Sequence, residues 1–382
     1  MPLLGKKRQL AFKAEGSEGV AETLTAAEAG LLVEMTPQMS FDPEMIPRNP
    51  IRASLSKHGD LIGKRPGGLN FKVRLRGSGS VSTEAKIIDL VRACGASLSD
   101  LKKITIGAVT GGPFTHFETI TGAGGGTGKV ICNVANGVTT LYYVVLTGLI
   151  VNGEVVTGGT SGATATVGSA PADAGHVLLP AGLTTTVPSL TMACYEDGLK
   201  KLKRGARGGL KLTFSNGQPI ECDFGFQGVE AGITDVALLS GVVNETVVEP
   251  VLLGATFTLD GVAMLFKTLS IDLGNTLAQR EDPTDSRGIK SYYISDRNPV
   301  GDIDPEMLLV AGHDFHGKWF AGTKMALDLA FGATDGNKFR FFAPQIQYTK
   351  IDDADRDGIQ IAQTSFKLCS SIDDAEWALL LL

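Results

Sequence analysis

The sequence predicts a fold that is all-β dominated, with one flanking α-helix. Three observations predict it. Glycine supplies 48 of 382 residues in a chain that is 43% hydrophobic and 20% charged, a globular composition rich in turn formers. Helical periodicity is rare. Apolar and polar residues alternate in stretch after stretch, and period two marks half-buried strands. A chain of this length buries a sizeable core and has room for roughly two or three domains.

Taken in order, FKVRLRGSG (71–79) turns Phe71, Val73 and Leu75 to one face and Lys72, Arg74 and Arg76 to the other. STEAKIIDLVRACGAS (82–97) carries the one clear helix signal. Ser82 or Thr83 can cap it, Glu84 lies in the first turn, and Gly95 can end it. Ile87, Leu90, Val91 and Cys94 fall at i, i+3, i+4 and i+7, so one face packs against something. PIECDFGFQG (219–228) sets Ile220, Cys222, Phe224 and Phe226 against Glu221 and Asp223. KFRFFAPQIQYTK (338–350) and GIQIAQTSFKLCSS (358–371) are further strands. The second face of such strands must meet solvent, a helix or another subunit.

Between about 109 and 169 charge nearly vanishes and Gly, Thr and Val dominate. TGAGGGTGKV (121–130) looks like a phosphate-binding loop. That loop needs a glycine five positions before the Gly-Lys pair and a hydroxyl after it. Ala123 and Val130 stand there instead, so the motif fails at two of its four fixed positions. The stretch belongs to an internal repeat. Gly112, Glu118, Thr121, Gly122 and Gly126 recur 36 positions later as Gly148, Glu154, Thr157, Gly158 and Gly162. A repeat is read before any single motif. Each copy reads as strand, tight glycine turn and strand, the glycines serving positive backbone angles.

Other apparent sites are weak. DADRDG (353–358) imitates the start of a calcium loop, with Asp353, Asp355 and Asp357 at ligand positions, but Thr364 occupies the place of the essential glutamate. It reads as a hairpin loop. GHDFHGKWF (312–320) holds His313 and His316, which would share a metal only from one helical face; Gly312 and Gly317 argue against a helix there. LKKLKRGARGGLK (199–211) reads as a solvated hairpin, without the aromatic interleaving of a single-strand binder. No nucleophile motif is present, so no catalytic, cofactor or metal residue is assigned and the chain is read as no enzyme. The net charge of −6 argues against general nucleic-acid affinity. MPLLGKKRQLAFKAEG has no apolar stretch after its basic residues, so no secretory leader is expected. The longest apolar run, LYYVVLTGLIV (141–151), is too short for a membrane span. Cys94, Cys132, Cys194, Cys222 and Cys369 are scattered without a C-x-x-C pair and read as reduced, mostly buried thiols.

Several strings in order resemble one family. PRNPIRASLSKHGDLIGKRPGGLNFKVRLRGSG (47–79) and IIDLVRACG (87–95) resemble the N-terminal half of the tail tube proteins of long-tailed bacteriophages. LFKTLSIDLGNTLAQRED (265–282), LLVAGHDFHGKWFAG (308–322) and NKFRFFAPQIQYTKIDDADRDGIQIAQTSFKL (337–368) are similar to its C-terminal half. The resemblance covers most of residues 1–105 and 175–382. It implies a non-enzymatic virion protein with a β-sandwich tail-tube fold, in which hexameric rings stack into a hollow tube and DNA leaves through the bore. Its implied partners are further copies of itself, the tape measure, the tail terminator and the tail-tip proteins. DNA would pass without specific binding, and the protein would be made in the host bacterial cytoplasm. The resemblance divides the chain into a first tube part (1–108), an inserted β-repeat domain on the outer surface (109–169) and a second tube part (170–382). Tail terminator, baseplate hub and capsid decoration are the competing structural roles; a nucleotide enzyme is the distant third.

One loop is expected to carry assembly. From Pro47 to Pro66, three prolines and two glycines break any regular pattern. Arg48, Arg52, Lys57, Lys64 and Arg65 face the single acid Asp60. The expectation is that these are inter-subunit contacts, drawn to carboxylates at 281–285, 302–306 or 352–357. Lys72, Arg74 and Arg76 are expected to point away from the bore or to be paired with acids, since free basic groups would hold phosphates.

Overall fold

The structure is a computed structural model that describes Leu4, residues 6–34 and residues 37–382. The chain opens with β1 (Arg8–Ala14), β2 (Gln38–Met39), β3 (Met45–Ile46), β4 (Leu61–Ile62), β5 (Pro66–Arg74), α1 (Ile87–Ala93) and β6 (Ala96–Thr105). The glycine-rich segment holds β7 (Thr119–Gly122), β8 (Thr127–Val130), β9 (Thr140–Thr147), β10 (Val155–Gly158) and β11 (Thr164–Thr166). Then come β12 (Ala172–Pro180), β13 (Leu190–Glu196), β14 (Leu199–Ser215), β15 (Glu221–Asp235), β16 (Thr256–Leu259), β17 (Val262–Ala263), β18 (Phe266–Asp272), β19 (Asn275–Glu281), β20 (Ile289–Arg297) and β21 (Val300–Pro305). The last elements are α2 (Phe315–Phe320), β22 (Met325–Phe331), β23 (Phe339–Arg356), β24 (Ile359–Cys369) and β25 (Ala378–Leu381). About half the chain is strand and 3% helix, so the fold is all-β.

Two antiparallel layers form a sandwich, joined by strands that belong to both. In the first layer β1, β13, β14, β15, β5 and β2 pair in turn. In the second, β18 pairs β21, β21 pairs β24, and β24 pairs β23. β14 links the layers. Its residues 199–206 pair β13, its residues 211–215 pair β18 on the same edge, and its other edge keeps β15. β23 repeats the device, pairing β25 at 339–342 and β24 at 345–356 while β22 holds its opposite edge. Bulges at Leu202/Lys203, Arg204/Arg207 and Tyr348/Lys350 let these long strands bend.

The main core lies between the layers. Phe71, Phe224 and Phe226 stack with centroids 5.4–5.9 Å apart, and Phe214 meets Phe331 and Phe341 at 6.1 and 6.2 Å. α1 closes one side. Ile87, Leu90, Val91 and Cys94 are buried as their spacing requires, and Gly95 ends the helix at φ +88. The start differs from the expected one. Ser82 and Thr83 lie before the helix, and Lys86 takes the cap position without a side-chain cap. Its ammonium instead donates to the Ala29 carbonyl at 2.8 Å, tying the helix to the N-terminal segment.

GHDFHGKWF corrects the sequence reading, because it contains a second helix. Asp314 caps α2 by accepting from Gly317 N–H at 2.8 Å. A Cβ at 317 would collide with that carboxylate, so the glycine permits the cap rather than breaking the helix. His313 precedes the cap and is buried, its Nε2 3.1 Å from the Tyr348 hydroxyl. His316 lies 3.6 Å from Asp353. The basic run 199–211 is likewise no solvated hairpin. It is most of β14, a strand shared by both layers, and it buries Lys203 and Arg207. DADRDG is the end of β23 and its turn into β24, with Asp357 and Gly358 at φ +54 and +86. Cys94, Cys132, Cys194 and Cys222 are buried free thiols, and Cys369 is half-buried.

The repeat folds as two hairpins, β7–β8 and β10–β11, paired through β7 and β10. Thr121 sits opposite Thr157, its equivalent 36 positions on, so a local twofold relates the copies. Phe114, Ile120, Val130, Ile150 and Val156 fill a separate core. β9, from the LYYVV run outside both copies, pairs β8 on one edge and β6 on the other. A junction core of Ile131 and Cys132 with Leu101, Phe342 and Leu380 packs this segment onto the sandwich.

Phe224→Ala removes a ring stacked on both its neighbours, and the expected loss is about 3–5 kcal/mol by equilibrium denaturation. A second expectation concerns acid. Burial holds His116, whose ring lies 5.2 Å from that of Phe342, and His313 down at about 4. The unfolded chain takes up these protons near pH 6.5 and the folded one only near 4. Stability should therefore fall as pH drops through that window. His116→Gln and His313→Gln should each flatten the slope of melting temperature against pH between 6.5 and 4.

Candidate functional site

Residues 38–70 form an arm that runs off the sandwich. At its root β2 pairs β5, Gln38 opposite Asn70. The ladder continues outward through Ser40 N–H to the Gly68 carbonyl (2.9 Å), Asp42 to Pro66 (3.0 Å) and Glu44 to Lys64 (2.8 Å). It ends in β3–β4, with Met45 opposite Ile62. Residues 47–60 carry no regular structure, as the prolines dictate, and all but His58 are exposed. The regular part reaches further than expected: within the Pro47–Pro66 span, Leu61–Ile62 is strand and Pro66 begins β5.

The arm is apolar on both faces. Met45, Ile46, Leu61 and Ile62 are about half exposed, and Ile51 and Leu55 are 105% and 104% exposed. A two-stranded ribbon with no layer against it is marginal in water. Exposed apolar side chains gathered this way mark an interaction surface.

The root, by contrast, is firmly held. Lys203, 1% exposed, donates to the Ser40 carbonyl at 2.6 Å and sits 4.9 Å from the Phe41 ring centre. Burial brings its ammonium down to about 7. Arg65 and Arg287 share Glu230 at 3.3 and 3.2 Å, and Lys64 pairs with Glu281. Arg204 pairs with Asp285 at 2.5 Å. The β19–β20 hairpin thus braces the arm from the same subunit.

The five basic residues singled out in the sequence divide accordingly. Lys64 and Arg65 make ion pairs within the subunit, with Glu281 and Glu230, so one of the 281–285 carboxylates expected across an interface is engaged by Lys64 of its own subunit. Arg48, Arg52 and Lys57 lie on the exposed tip with no acidic partner among the described residues; Arg52 donates to the Ser56 carbonyl. The six apolar arm residues were missed. Their signal was the pairs Met45-Ile46 and Leu61-Ile62, which break the alternation of a half-buried strand.

The phosphate-loop look has a structural cause. Glu154 accepts from Gly124 N–H at 3.1 Å, and Glu118 accepts from Thr160 and Ser161 N–H at 3.2 and 3.0 Å. Each repeat's glutamate therefore fills the backbone N–H turn of the other copy. Gly122 and Gly158 are not at positive φ; a Cβ at either would meet these carboxylates. The turn does bind an anion, and the anion is the chain's own. Lys129 lies 4.8 Å from the Phe117 ring centre.

Four other basic groups are paired with acids. Lys72 meets Glu221 at 3.3 Å, Arg74 meets Glu34 at 3.2 Å, and buried Arg76 meets Glu249 at 2.9 Å. Arg207 meets Glu18 at 2.7 Å. Among the described residues no group of three or more His, Cys, Asp and Glu is placed to hold a metal, and no helix is long and apolar enough to cross a membrane.

No curated protein matches the chain. The family model described as phage tail tube protein matches residues 5–367, nearly the whole length. An all-β subunit with a braced, uncovered arm suits a structural role. The chain belongs to the phage tail tube protein family, whose members are structural proteins of the virion tail.

Proposed function

We propose that the subunits close into hexameric rings that stack into a hollow tube, and that this tube is the conduit for DNA ejection. The observation that carries the reading is the arm: apolar on both faces, basic at its tip and braced at its root, it lacks only a second copy to cover it. Open sheet edges support ring closure. Among the described residues β19 pairs only β20, and the edge of β1 away from β13 carries a single bridge, Ala11 opposite Ala29. Neighbouring subunits would cover such edges, which otherwise template uncontrolled pairing. Pairing of Lys72, Arg74 and Arg76 with acids supports passage of DNA without specific binding, because phosphate affinity depends on free basic groups. The tape measure, terminator and tail-tip proteins are the proposed partners at the tube ends, and the host bacterial cytoplasm the place of synthesis. Residues 109–169 are proposed as an inserted domain on the outer surface, between tube parts 1–108 and 170–382.

Concentrated pure protein should show tubes of constant width by negative-stain electron microscopy; discrete rings or particles at every concentration would remove the tube assignment. Arg48→Glu with Arg52→Glu should raise the protein concentration needed for tubes, and high salt should act the same way. Normal assembly of the double variant would show that the tip makes no electrostatic contact.

Replacing 109–169 by a short Gly-Ser linker should leave subunits that form tubes of smaller outer diameter. Leu101 and Phe342 lose the cover of Ile131 and Cys132, so the shortened subunit should also melt at a lower temperature. An insoluble or monomeric product would place the repeats in the tube wall.

A further inference from the structure

Strand register puts the arm at one pole of the subunit. Pro66 lies opposite Val229 and Val229 opposite Arg204, whereas Arg74 lies opposite Glu221 and Glu221 opposite Thr213. β5 and β14 therefore run in the same direction, and the arm leaves Pro66 away from Ser215. Ser215 in turn pairs Thr268 of β18, whose Phe266 pairs Pro305. Beyond that point Glu306 N–H donates to the Leu265 carbonyl and Met307 N–H to the Gln360 carbonyl, both at 2.9 Å. The 306–310 segment and the β23–β24 tip thus occupy the opposite pole. Lys203 and Ser215 are twelve residues apart on β14, at most about 40 Å at the rise of a strand.

Near that pole three apolar side chains stand exposed. Leu309, Val310 and Phe320 are 85%, 73% and 79% exposed. His316 lies 3.6 Å from Asp353 and its ring 6.4 Å from that of Phe320, while His313 N–H donates to the Leu309 carbonyl at 3.0 Å, so the start and end of this segment lie beside the acidic hairpin. At that tip Asp353, Asp355 and Asp357 are exposed and have no Lys or Arg partner among the described residues. The tip of the arm offers the complement: two fully exposed apolar side chains, Ile51 and Leu55, among Arg48, Arg52 and Lys57, which have no acidic partner among the described residues.

We infer that Leu309, Val310 and Phe320, rimmed by Asp353, Asp355 and Asp357, seat the arm tip of a second copy of this chain. Ile51 and Leu55 lie on the apolar residues, and the basic groups of the tip lie beside the carboxylates. The occupant is another copy because both halves of the contact are on every subunit, at opposite poles. Such a head-to-tail contact propagates along an axis instead of closing on itself. The inference rests on the tube reading and names the surface that receives each arm.

The test is a charge exchange in the full chain. Asp353→Lys with Asp355→Lys should raise the concentration needed for tubes at least tenfold, as should Arg48→Glu with Arg52→Glu. The fourfold variant, which restores opposite charges, should recover most of that loss. Leu309→Ser with Phe320→Ser leaves the acidic hairpin intact and should block assembly by itself; a melting curve like that of the parent shows that each subunit is folded. Unimpaired tubes from both patch variants, or a fourfold variant no better than the arm variant, would overturn the seat while leaving the tube reading intact. A parent protein that forms no tubes would overturn both.

Discussion

Two strands hydrogen-bond to different neighbours along their length, and the architecture depends on them. β14 and β23, of 17 and 18 residues, each begin in one ladder and finish in another. Every backbone group buried by this exchange has to find a new partner, because an unpaired N–H or C=O in the interior costs as much as a lost hydrogen bond. The change therefore occurs where one neighbour ends and the next begins, with bulges to absorb the bend. The result is one hydrogen-bonded network wrapped around the phenylalanine core, so the two layers cannot slide independently.

β14 also settles the charges. A strand flanked on both edges and bearing Lys201, Lys203, Arg204 and Arg207 needs acceptors close by. Glu196, the Ser40 carbonyl, Asp285 and Glu18 supply them. Each acceptor belongs to a different segment, so the basic residues fasten the N-terminal stretch, the arm root and the β19–β20 hairpin to the same strand. Breaking one such buried pair costs more than the pair contributes, because the remaining charge stays out of water. The arm can project freely at its tip only because its root is fixed in this way.

The repeat uses the same logic on a smaller scale. A segment of some 60 residues has little core of its own. Reciprocal capping by Glu118 and Glu154 makes the two copies mutually dependent, and the junction under His116 and Phe342 joins them to the larger core. Glycine at 122 and 158 leaves room for a carboxylate, which explains how a structural turn resembles a nucleotide site in sequence.

The sequence by itself determined the β class, the buried face of α1, the alternating strands around Phe71 and Phe224, and a proline-broken basic loop between Pro47 and Pro66, of which 47–60 is irregular. Each follows from local rules: period two or 3.6, proline without a donor, glycine at a helix end. The order of its strings also indicated the family. Only the tertiary structure decided that the basic run 199–211 is interior, since burial of a lysine depends on acceptors from segments distant in sequence. It alone decided that Gly317 permits a helix, because the reason is the Asp314 side chain folding over it. It also decided which basic residues of the arm are free, taking Lys64 and Arg65 into internal pairs with Glu281 and Glu230 and leaving Arg48, Arg52 and Lys57 exposed. Local pattern reports which residues want cover or a counter-charge. Which partner each one meets is a matter of chain path, and the chain path is set by ladders between residues tens to hundreds of positions apart.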